Sequence, residues 1–157
     1  MGPIGQWPDA LELFYFPNGC MHCEHPSCID VCPTKATFKT DEGVVLVDAN
    51  RCFGCQYCVW ACPYEARSLN PNTKVVEKCT LCVDKLDAGE QPLCCYTCTT
   101  GARVAGDMND PDSRISKVLA ENADRVYRVH PEFGNEPKVV YLVPRKGAAD
   151  HQVEAIH

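Results

Sequence analysis

The residues with the clearest chemical meaning are four cysteines followed directly by a proline: Cys52, Cys55, Cys58, Cys62 and Pro63. Their C-x2-C-x2-C-x3-C-P spacing is typical of thiolates that hold [4Fe-4S] clusters, with three sulfurs on one cluster and the fourth on another. The short x2 loops let successive sulfurs converge, whereas the x3 step begins a helical turn that directs the last sulfur elsewhere. Pro63 ends that turn because it has no N–H to donate. The run therefore predicts iron–sulfur chemistry.

A second cysteine run precedes this one and repeats its form. Its spacing is C-x2-C-x4-C-x3-C-P, from Cys20 to Pro33, and Cys20 stands 32 positions before Cys52. A repeat of this length indicates two copies of one supersecondary unit, related by an approximate two-fold axis. Because the fourth cysteine of such a run binds the neighbouring cluster, the ligand sets cross over between the runs. The two sets are site A (Cys20, Cys23, Cys28 and Cys62) and site B (Cys32, Cys52, Cys55 and Cys58).

A third group of cysteines, from Cys79 to Cys98, allows two interpretations from spacing alone. Cys94-x3-Cys98 copies the end of the earlier runs, although no proline follows it. Alternatively, Cys79, Cys82, Cys95 and Cys98 form the C-x2-C plus C-x2-C set that is usual for a structural zinc ion. Beside two [4Fe-4S] runs, the iron–sulfur interpretation is the favoured one.

Other residues near the candidate ligands receive ordinary roles. His22 and His25 lie between cysteines, but neither run lacks a cysteine that histidine would replace, so both are expected to be polar surface groups or groups around the ligands. Tyr57 and Trp60 are expected to be buried aromatic side chains that shield a cluster. Four basic residues beside candidate ligands are expected to be solvated charges that raise the cluster potentials: Arg51, Arg67, Lys78 and Arg103.

Composition excludes several classes of protein. The 157 residues include 13 cysteines, an odd number, and the cysteines within each run are too close together to pair as disulfides. The N-terminus also lacks the basic and then apolar pattern of a signal peptide. A formal net charge of -6, without a Lys/Arg block, disfavours nucleic-acid binding. No apolar run is long enough to span a bilayer, so any membrane association would come through a partner.

The elements that must position the cysteines are short. Residues 11–16 are predicted to form a strand that leads into the first run. Residues 36–48 are predicted to form a hairpin that turns at residues 41–43 and keeps water away from the clusters. Residues 87–92, which include a glycine and a proline, are predicted to separate two short helical pieces.

The part of the chain after the cysteines predicts one helix and one strand. Asp110 is expected to cap a helix with Pro111 at its first position, with one apolar face turned to the rest of the chain and its end near Asn122. Residues 138–143 are predicted to form a strand. Residues 145–157 are predicted to be a disordered or partner-bound tail.

The order of the motifs resembles one known family over about residues 14–143. The segments CMHCEHPSCIDVCPT, DEGVVLVD, CFGCQYCVWACPYEAR, CTLCVDKLDAGE and GDMNDPDSRISKVL follow one another. In this succession they resemble the electron-transfer iron–sulfur (beta) subunit of the DMSO-reductase family of molybdenum enzymes. The part from residue 106 onward is similar to subunits of polysulfide, thiosulfate, tetrathionate and related reductases.

The resemblance implies a chain that passes single electrons between a large catalytic subunit and a redox partner, which is a membrane quinol subunit or a soluble carrier. The large subunit would carry molybdenum or tungsten bis-pterin guanine dinucleotide, and this chain would supply no catalytic residue. The alternatives are a free polyferredoxin carrier and a zinc- or disulfide-stabilised binding module. The compartment stays open between the cytoplasm and the periplasm, because subunits of this family are also exported together with a signal-bearing partner.

The chain departs from the family at its first cysteine motif. Members usually open with a further C-x2-C-x2-C-x3-C run, which nothing before Cys20 supplies. In the family pattern, Cys98 would bind the cluster on that run, and the run's fourth cysteine would complete the third site. The chain is therefore expected to be shortened at its N-terminus or rebuilt at the third site, with Cys95 as the added ligand. We expect three [4Fe-4S] clusters, the third at site C (Cys79, Cys82, Cys94 and either Cys98 or Cys95).

Together these features predict an α+β fold. It is expected to be a ferredoxin-like fold for several [4Fe-4S] clusters, with a pseudo-two-fold repeat, short helices and small antiparallel hairpins. Three regions are expected: an iron–sulfur domain with three cysteine motifs (1–105), a C-terminal helix and strand that pack on it (106–144), and the tail (145–157).

Overall fold

Short helices and strands alternate along the chain in the computed structural model, which describes residues 17–143. The predicted strand at residues 11–16 and the predicted tail at residues 145–157 lie outside the described residues. The helices are α1 Ser27–Asp30, α2 Tyr57–Trp60, α3 Val83–Asp87, α4 Leu93–Tyr96 and α5 Arg114–Glu121. The strands are β1 Thr37–Lys39, β2 Val45–Val47, β3 Ser68–Leu69, β4 Val76–Glu77, β5 Val126–Tyr127 and β6 Tyr141–Leu142. Single 3-10 turns occupy Ala123–Arg125 and Pro131–Phe133.

The strands form small antiparallel sheets of two strands each. β1 pairs with β2, β3 with β4 and β5 with β6. In the first sheet Thr37 lies opposite Val47, and the predicted turn is closed by a bond from Thr40 N to Val44 O of 2.9 Å. The hairpin predicted at residues 36–48 is therefore confirmed, as are the short helical pieces on either side of residues 87–92. Within residues 17–143 no helix is long and apolar enough to cross a membrane.

Each cysteine group ends in the same local structure. The one-turn helices α1, α2 and α4 occupy the three Cys-x3-Cys steps. Three residues after the last cysteine, the chain adopts a left-handed backbone conformation, and the amide there donates to the carbonyl of that cysteine. These bonds are Lys35 to Cys32 (3.1 Å), Glu65 to Cys62 (3.2 Å) and Gly101 to Cys98 (3.0 Å). The third group thus has the backbone of the first two, although it lacks their proline.

The buried core is small and lies between the cysteine loops. Met21, Cys23 and Tyr64 form one buried cluster, against which the partly buried Val129 and Val139 pack. Val45 and Val76 are buried behind the first two hairpins. Because the hairpins are only two or three residues long, they are marginal on their own. The cysteine loops are therefore part of the core.

A segment near the C-terminal end of the described chain, residues 135–139, lies along the first cysteine loop. Glu24 N donates to Glu136 O (2.9 Å), His25 N to Asn135 O (3.1 Å), and Lys138 N to Met21 O (2.9 Å). Hydrogen bonds from Lys138 and then Lys39 lower the pKa of the Glu24 carboxyl to about 2. We call residues 135–139 the strap.

The strap also holds the first one-turn helix. The buried Asn135 accepts hydrogen bonds through Oδ1 from the hydroxyl and the backbone amide of Ser27, the first residue of α1. The predicted strand at residues 138–143 is wrong in extent, because the start of that range bonds to the first cysteine loop and only β6 pairs with β5. The predicted division of the chain after residue 105 stays a prediction.

The predicted N-cap of the long helix is wrong. α5 begins at Arg114, and the cap is Ser113, whose Oγ accepts from Ser116 N at 3.2 Å. Asp110 instead accepts from Asp112 N at 2.9 Å in the preceding turn, so Pro111 stands outside the helix. The predicted end is confirmed, since Asn122 is the C-cap.

A glycine inside the second cysteine run lies too close to a neighbouring hairpin for any side chain. Gly54 has a φ of +75°, and a Cβ built on it would lie 2.4 Å from the Lys74 carbonyl oxygen in the β3–β4 turn. We predict that Gly54→Ala destabilises the protein by about 1–3 kcal/mol beyond the cost of the left-handed backbone. The measurement is the free energy of unfolding of the anaerobically purified protein.

Gly89→Ala is the matched control. Gly89 has almost the same φ, +74°, but a Cβ there would meet nothing within 4 Å. This variant carries the backbone cost alone, about 1 kcal/mol. Equal losses in the two variants would show that the approach to Lys74 does not constrain the cysteine loop.

The strap generates a second prediction. Asn135→Ala leaves the Ser27 amide and hydroxyl without their partner, and we expect a loss of about 1–3 kcal/mol in stability. Amide hydrogen exchange should quicken in residues 21–31 more than elsewhere. The control is Asn122→Ala, because Asn122 also makes two side-chain hydrogen bonds, to Val118 O and from Arg125, in a different part of the chain. Equal acceleration of exchange at residues 21–31 in both variants would contradict the role of the strap.

Candidate iron–sulfur sites

The cysteines of site B surround one cavity. Cys32 comes from the first run, whereas Cys52, Cys55 and Cys58 come from the second, and all four line the cavity. The other lining residues are Thr, Ala, Val, Phe and Gln, so no charged side chain of the described residues borders the cavity. The structure thus brings together four thiols from two runs, although Cys32 and Cys58 are 26 positions apart in the sequence.

The cysteines of site A lie around the buried cluster of Met21, Cys23 and Tyr64. Burial raises the pKa of the Cys23 thiol to about 11, and the neighbouring thiols of Cys20, Cys28 and Cys62 add to the rise. These four sulfurs are therefore close enough to act on one another. A buried thiol with a raised pKa stays protonated at neutral pH. Binding of a metal reverses this, because a thiol that coordinates a metal loses its proton.

Two buried polar atoms near site A make no hydrogen bond of normal geometry within residues 17–143, His22 Nε2 and the Tyr64 hydroxyl. The Tyr64 hydroxyl lies near the Cys23 thiol and acts to lower the pKa of that thiol, against the larger effect of burial. His22 Nδ1 accepts from Val45 N at 3.1 Å, so the proton of the neutral ring is on Nε2. Burial, and then the charges of Lys78 and Arg67, lower the pKa of His22 to about 4. Unpaired buried donors are rare in proteins. Both donors fit a site in which cluster sulfur accepts hydrogen bonds.

The position of His22 corrects one of its two predicted roles. Its side chain is only 3% exposed, so it is not a surface group, and it belongs among the groups around the ligands. His25, in contrast, is exposed as a surface residue. Sequence spacing could not separate the two, because the difference depends on the β2 strand that bonds to His22.

The prediction of a solvated side chain is wrong for Arg67, which lies at site A. Arg67 is buried, with only 6% of its surface exposed. Its Nη2 donates to Cys28 Sγ at 2.9 Å and its Nη1 to Thr37 Oγ1 at 3.2 Å. Burial raises the pKa of the Cys28 thiol to about 11 in spite of the opposing effect of Arg67. Alignment of the two cysteine runs would have drawn attention to Arg67, because Thr37 stands at the equivalent position.

The other basic residues differ in burial. Lys78 is half-buried, donates to the carbonyls of Val45 and Cys79, and has a pKa that burial lowers. Arg51 is exposed and donates to Thr34 O at 2.9 Å, and Arg103 is exposed as well. Solvation was therefore predicted correctly for Arg51 and Arg103 only.

The two aromatic side chains of the second run face outward. Trp60 is 81% exposed and Tyr57 is 55% exposed, so the prediction that they are buried is wrong. Residues three apart lie on the same face of a helical turn. In α2, Cys58 is turned inward to site B, which leaves Tyr57 and Trp60 on the opposite side.

The cysteines of site C are more open to solvent than those of sites A and B. Cys79 and Cys94 are exposed. Leu93 N donates to Cys82 Sγ at 3.5 Å, which places Cys82 next to the start of α4 and hence near Cys94. This hydrogen bond brings Cys82, from the first half of site C, close to the N-terminal end of α4, where the second half begins.

Cys94, Cys95 and Cys98 are neighbours on and after α4. Burial, and then Cys94, raise the pKa of Cys95 to about 11. The Thr100 hydroxyl and backbone amides lower the pKa of Cys98 to about 7. Within the described range 17–143 no group of three or more His, Cys, Asp or Glu side chains is placed to hold a single metal ion.

A family model described as a 4Fe-4S dicluster domain matches residues 11–108. The match covers more than half of the chain and includes every cysteine. It bears out the prediction that [4Fe-4S] clusters are the cofactor. It also agrees with the observed short helices and small antiparallel hairpins.

Curated relatives of the chain are subunits of oxidoreductases. A sulfite dehydrogenase subunit from Allochromatium vinosum is 45% identical over 150 residues, which are 91% of this chain and 61% of that protein. A tetrathionate reductase subunit from Salmonella typhimurium is 48% identical over 126 residues, 80% of this chain and 50% of that protein. A polysulfide reductase subunit from Wolinella succinogenes is 43% identical over 141 residues, 88% of this chain and 72% of that protein.

The chain therefore spans about half to three quarters of the length of these three relatives. The predicted resemblance to the electron-transfer iron–sulfur subunits of the DMSO-reductase family is confirmed, and the chain belongs to the 4Fe-4S dicluster domain family.

Proposed function

We propose that the chain is an electron-transfer subunit that passes single electrons through [4Fe-4S] clusters between a molybdopterin-containing catalytic subunit and a second redox partner. The observation that carries this proposal is the single cavity lined by Cys32 from the first run and Cys52, Cys55 and Cys58 from the second. A cluster held by four thiolates has no open coordination position and supplies one-electron transfer. The chain's own residues bind the clusters, exclude water and set their electrostatic surroundings.

The ligand sets cross over between the two runs in this proposal. Cys62 completes site A and Cys32 completes site B. Two observations support the crossing: Cys62 lies near the buried Cys23, and α1 lies against α2. The matching turns after Cys32 and Cys62 support a pseudo-two-fold relation between the two halves.

A third cluster at site C completes the proposal. Its ligands are Cys79, Cys82, Cys94 and Cys98, with Cys95 as the alternative to Cys98. The support is the backbone of α4 and the following turn, which matches that of α1 and α2. The exposure of Cys79 and Cys94 supports a position for this cluster near the surface, where a partner subunit would approach it.

The partners are proposed from the named relatives and from the surface. The relatives are named as single components of a sulfite dehydrogenase, a tetrathionate reductase and a polysulfide reductase, each of which therefore has further components. By analogy, the partner of this chain is a large subunit that holds molybdenum or tungsten bis-pterin guanine dinucleotide, with or without a membrane subunit. The compartment is the cytoplasm, or the periplasm after export with that partner.

Paired cysteine variants test the crossed ligands. Cys62→Ser should lose the same electron paramagnetic resonance signal as Cys23→Ser, although Cys62 and Cys23 belong to different runs. Cys32→Ser should match Cys55→Ser in the same way. Each variant should fall from about twelve to about eight irons per chain, with the same loss of acid-labile sulfide.

The opposite pairing, with Cys62→Ser matching Cys55→Ser, would show that each run holds its own cluster. About eight irons per chain in the parent protein would contradict the proposed third cluster. A comparison of Cys95→Ser with Cys98→Ser identifies the fourth ligand of site C. Absence of labile sulfide and of dithionite-bleached visible absorption would overturn the proposed function as a whole.

Size-exclusion chromatography of native material, with metal analysis, tests the partner. We expect the chain to elute together with a larger subunit that contains molybdenum or tungsten. Elution as a free iron–sulfur monomer would instead identify a polyferredoxin carrier.

A further inference from the structure

The two cysteine runs differ at one buried position that faces the ligands. Thr37 and Arg67 each stand five residues after the last cysteine of their run, two residues beyond the matching left-handed residues Lys35 and Glu65. Both side chains are buried, with exposures of 2% for Thr37 and 6% for Arg67. The repeat therefore places a hydroxyl in one half and a guanidinium in the other.

Each of these side chains lies at a different site. Thr37 lines the cavity of site B, whereas Arg67 donates to Cys28 Sγ of site A at 2.9 Å. The second arm of the guanidinium donates to Thr37 Oγ1 at 3.2 Å, which fixes its orientation. Thr37, the residue equivalent to Arg67 after the first run, thus helps to orient the Arg67 guanidinium toward site A.

No carboxylate among the described residues balances the charge of Arg67. The ion pairs within residues 17–143 do not include Arg67. A buried cation without a counter-ion is costly, so an anion must lie nearby in the working protein. A cubane with four thiolate ligands carries a net negative charge, and Cys28 Sγ is the ligand atom that Arg67 touches.

A second cation, Lys78, lies near the thiols of site A. Half-buried Lys78 is close enough to Cys20 and Cys28 for their charges to affect it. The cavity of site B, in contrast, is lined by uncharged side chains throughout the part of the chain that the structure describes. The electrostatic surroundings of the two sites therefore differ although their cysteine ligands are alike.

We propose that Arg67 raises the reduction potential of the cluster at site A above that of the cluster at site B, so that site A accepts the electron that site B gives up. The inference rests on the proposed function, since both clusters must be present. Reduction adds one negative charge to a cluster, and a fixed cation and a hydrogen bond to a ligand sulfur stabilise that charge. The effect is strong because Arg67 is buried, where water screens little.

The test is an anaerobic redox titration of the whole chain, or of its native complex, followed by electron paramagnetic resonance. The spectra of Cys23→Ser and Cys55→Ser assign the signals to sites A and B. In the parent protein, site A should be reduced at a higher potential than site B. In Arg67→Gln, the ratio of reduced to oxidised cluster at site A, measured at a fixed potential, should fall at least tenfold. This fall corresponds to a reduction potential that is lower by about 59 mV for a one-electron couple.

Further variants separate charge from structure. Arg67→Lys keeps the charge, and it should recover most of the ratio at site A. Site B should change less than threefold in both variants. Arg51→Gln is the matched control, because exposed Arg51 also contacts the chain beside a ligand, at Thr34 O, and should shift neither cluster more than threefold.

Three results would overturn the inference while the proposed function stands. One is a parent protein in which site B is reduced first or together with site A, which needs no variant at all. Another is an Arg67→Gln protein with full iron content and an unchanged ratio at site A. The third is an equal shift at both sites. Absence of all clusters from the parent protein would instead count against the proposed function. Iron analysis of the same samples distinguishes the two failures.

Discussion

The burial of cysteine sulfur is the constraint on which the rest of this structure depends. Cys23 and Cys58 are buried, each with 8% of its surface exposed, and the sheets of the described chain have only two strands each. Elements this short do not supply a stable core by themselves. Metal–thiolate bonds stabilise the folded state directly, because the unfolded chain has no preformed site. Binding of the clusters and folding of residues 17–143 are in this view one process.

What could be predicted from the sequence is what local geometry determines. Cysteine spacing fixes the one-turn helices, so α1, α2 and the grouping of thiols at site B follow from it. The hairpin at residues 36–48 follows from its turn and from the strand preference of its valines. Burial depends instead on which faces meet in space. Trp60 and Arg67 were therefore placed wrongly, since spacing gives a cysteine's direction but not what packs behind it.

The three cysteine sites differ in exposure: sites A and B each hold one buried and three half-buried thiols, whereas Cys79 and Cys94 of site C are exposed. Their Cys-x3-Cys turns share one backbone, so the difference lies in what covers them. Site A is covered by the strap and by Tyr64, site B by the two hairpins, and site C presents Cys79 and Cys94 to solvent. Electrons that enter and leave a protein need one site near a surface and others shielded from water. The cap of α5 shows the same limit of prediction, because Ser113 and Asp110 both suit an N-cap and only the preceding turn decides between them.

The strap imposes a temporal order on folding. Synthesis on the ribosome proceeds from the N-terminus, so the loop from Met21 to Ser27 emerges long before residues 135–139 exist to bond to it. During that interval the backbone amides of Glu24 and His25 lack their partners in the strap. The first cysteine loop therefore reaches its final conformation only after Asn135 and Lys138 have been synthesised, so its order depends on the last part of the described chain.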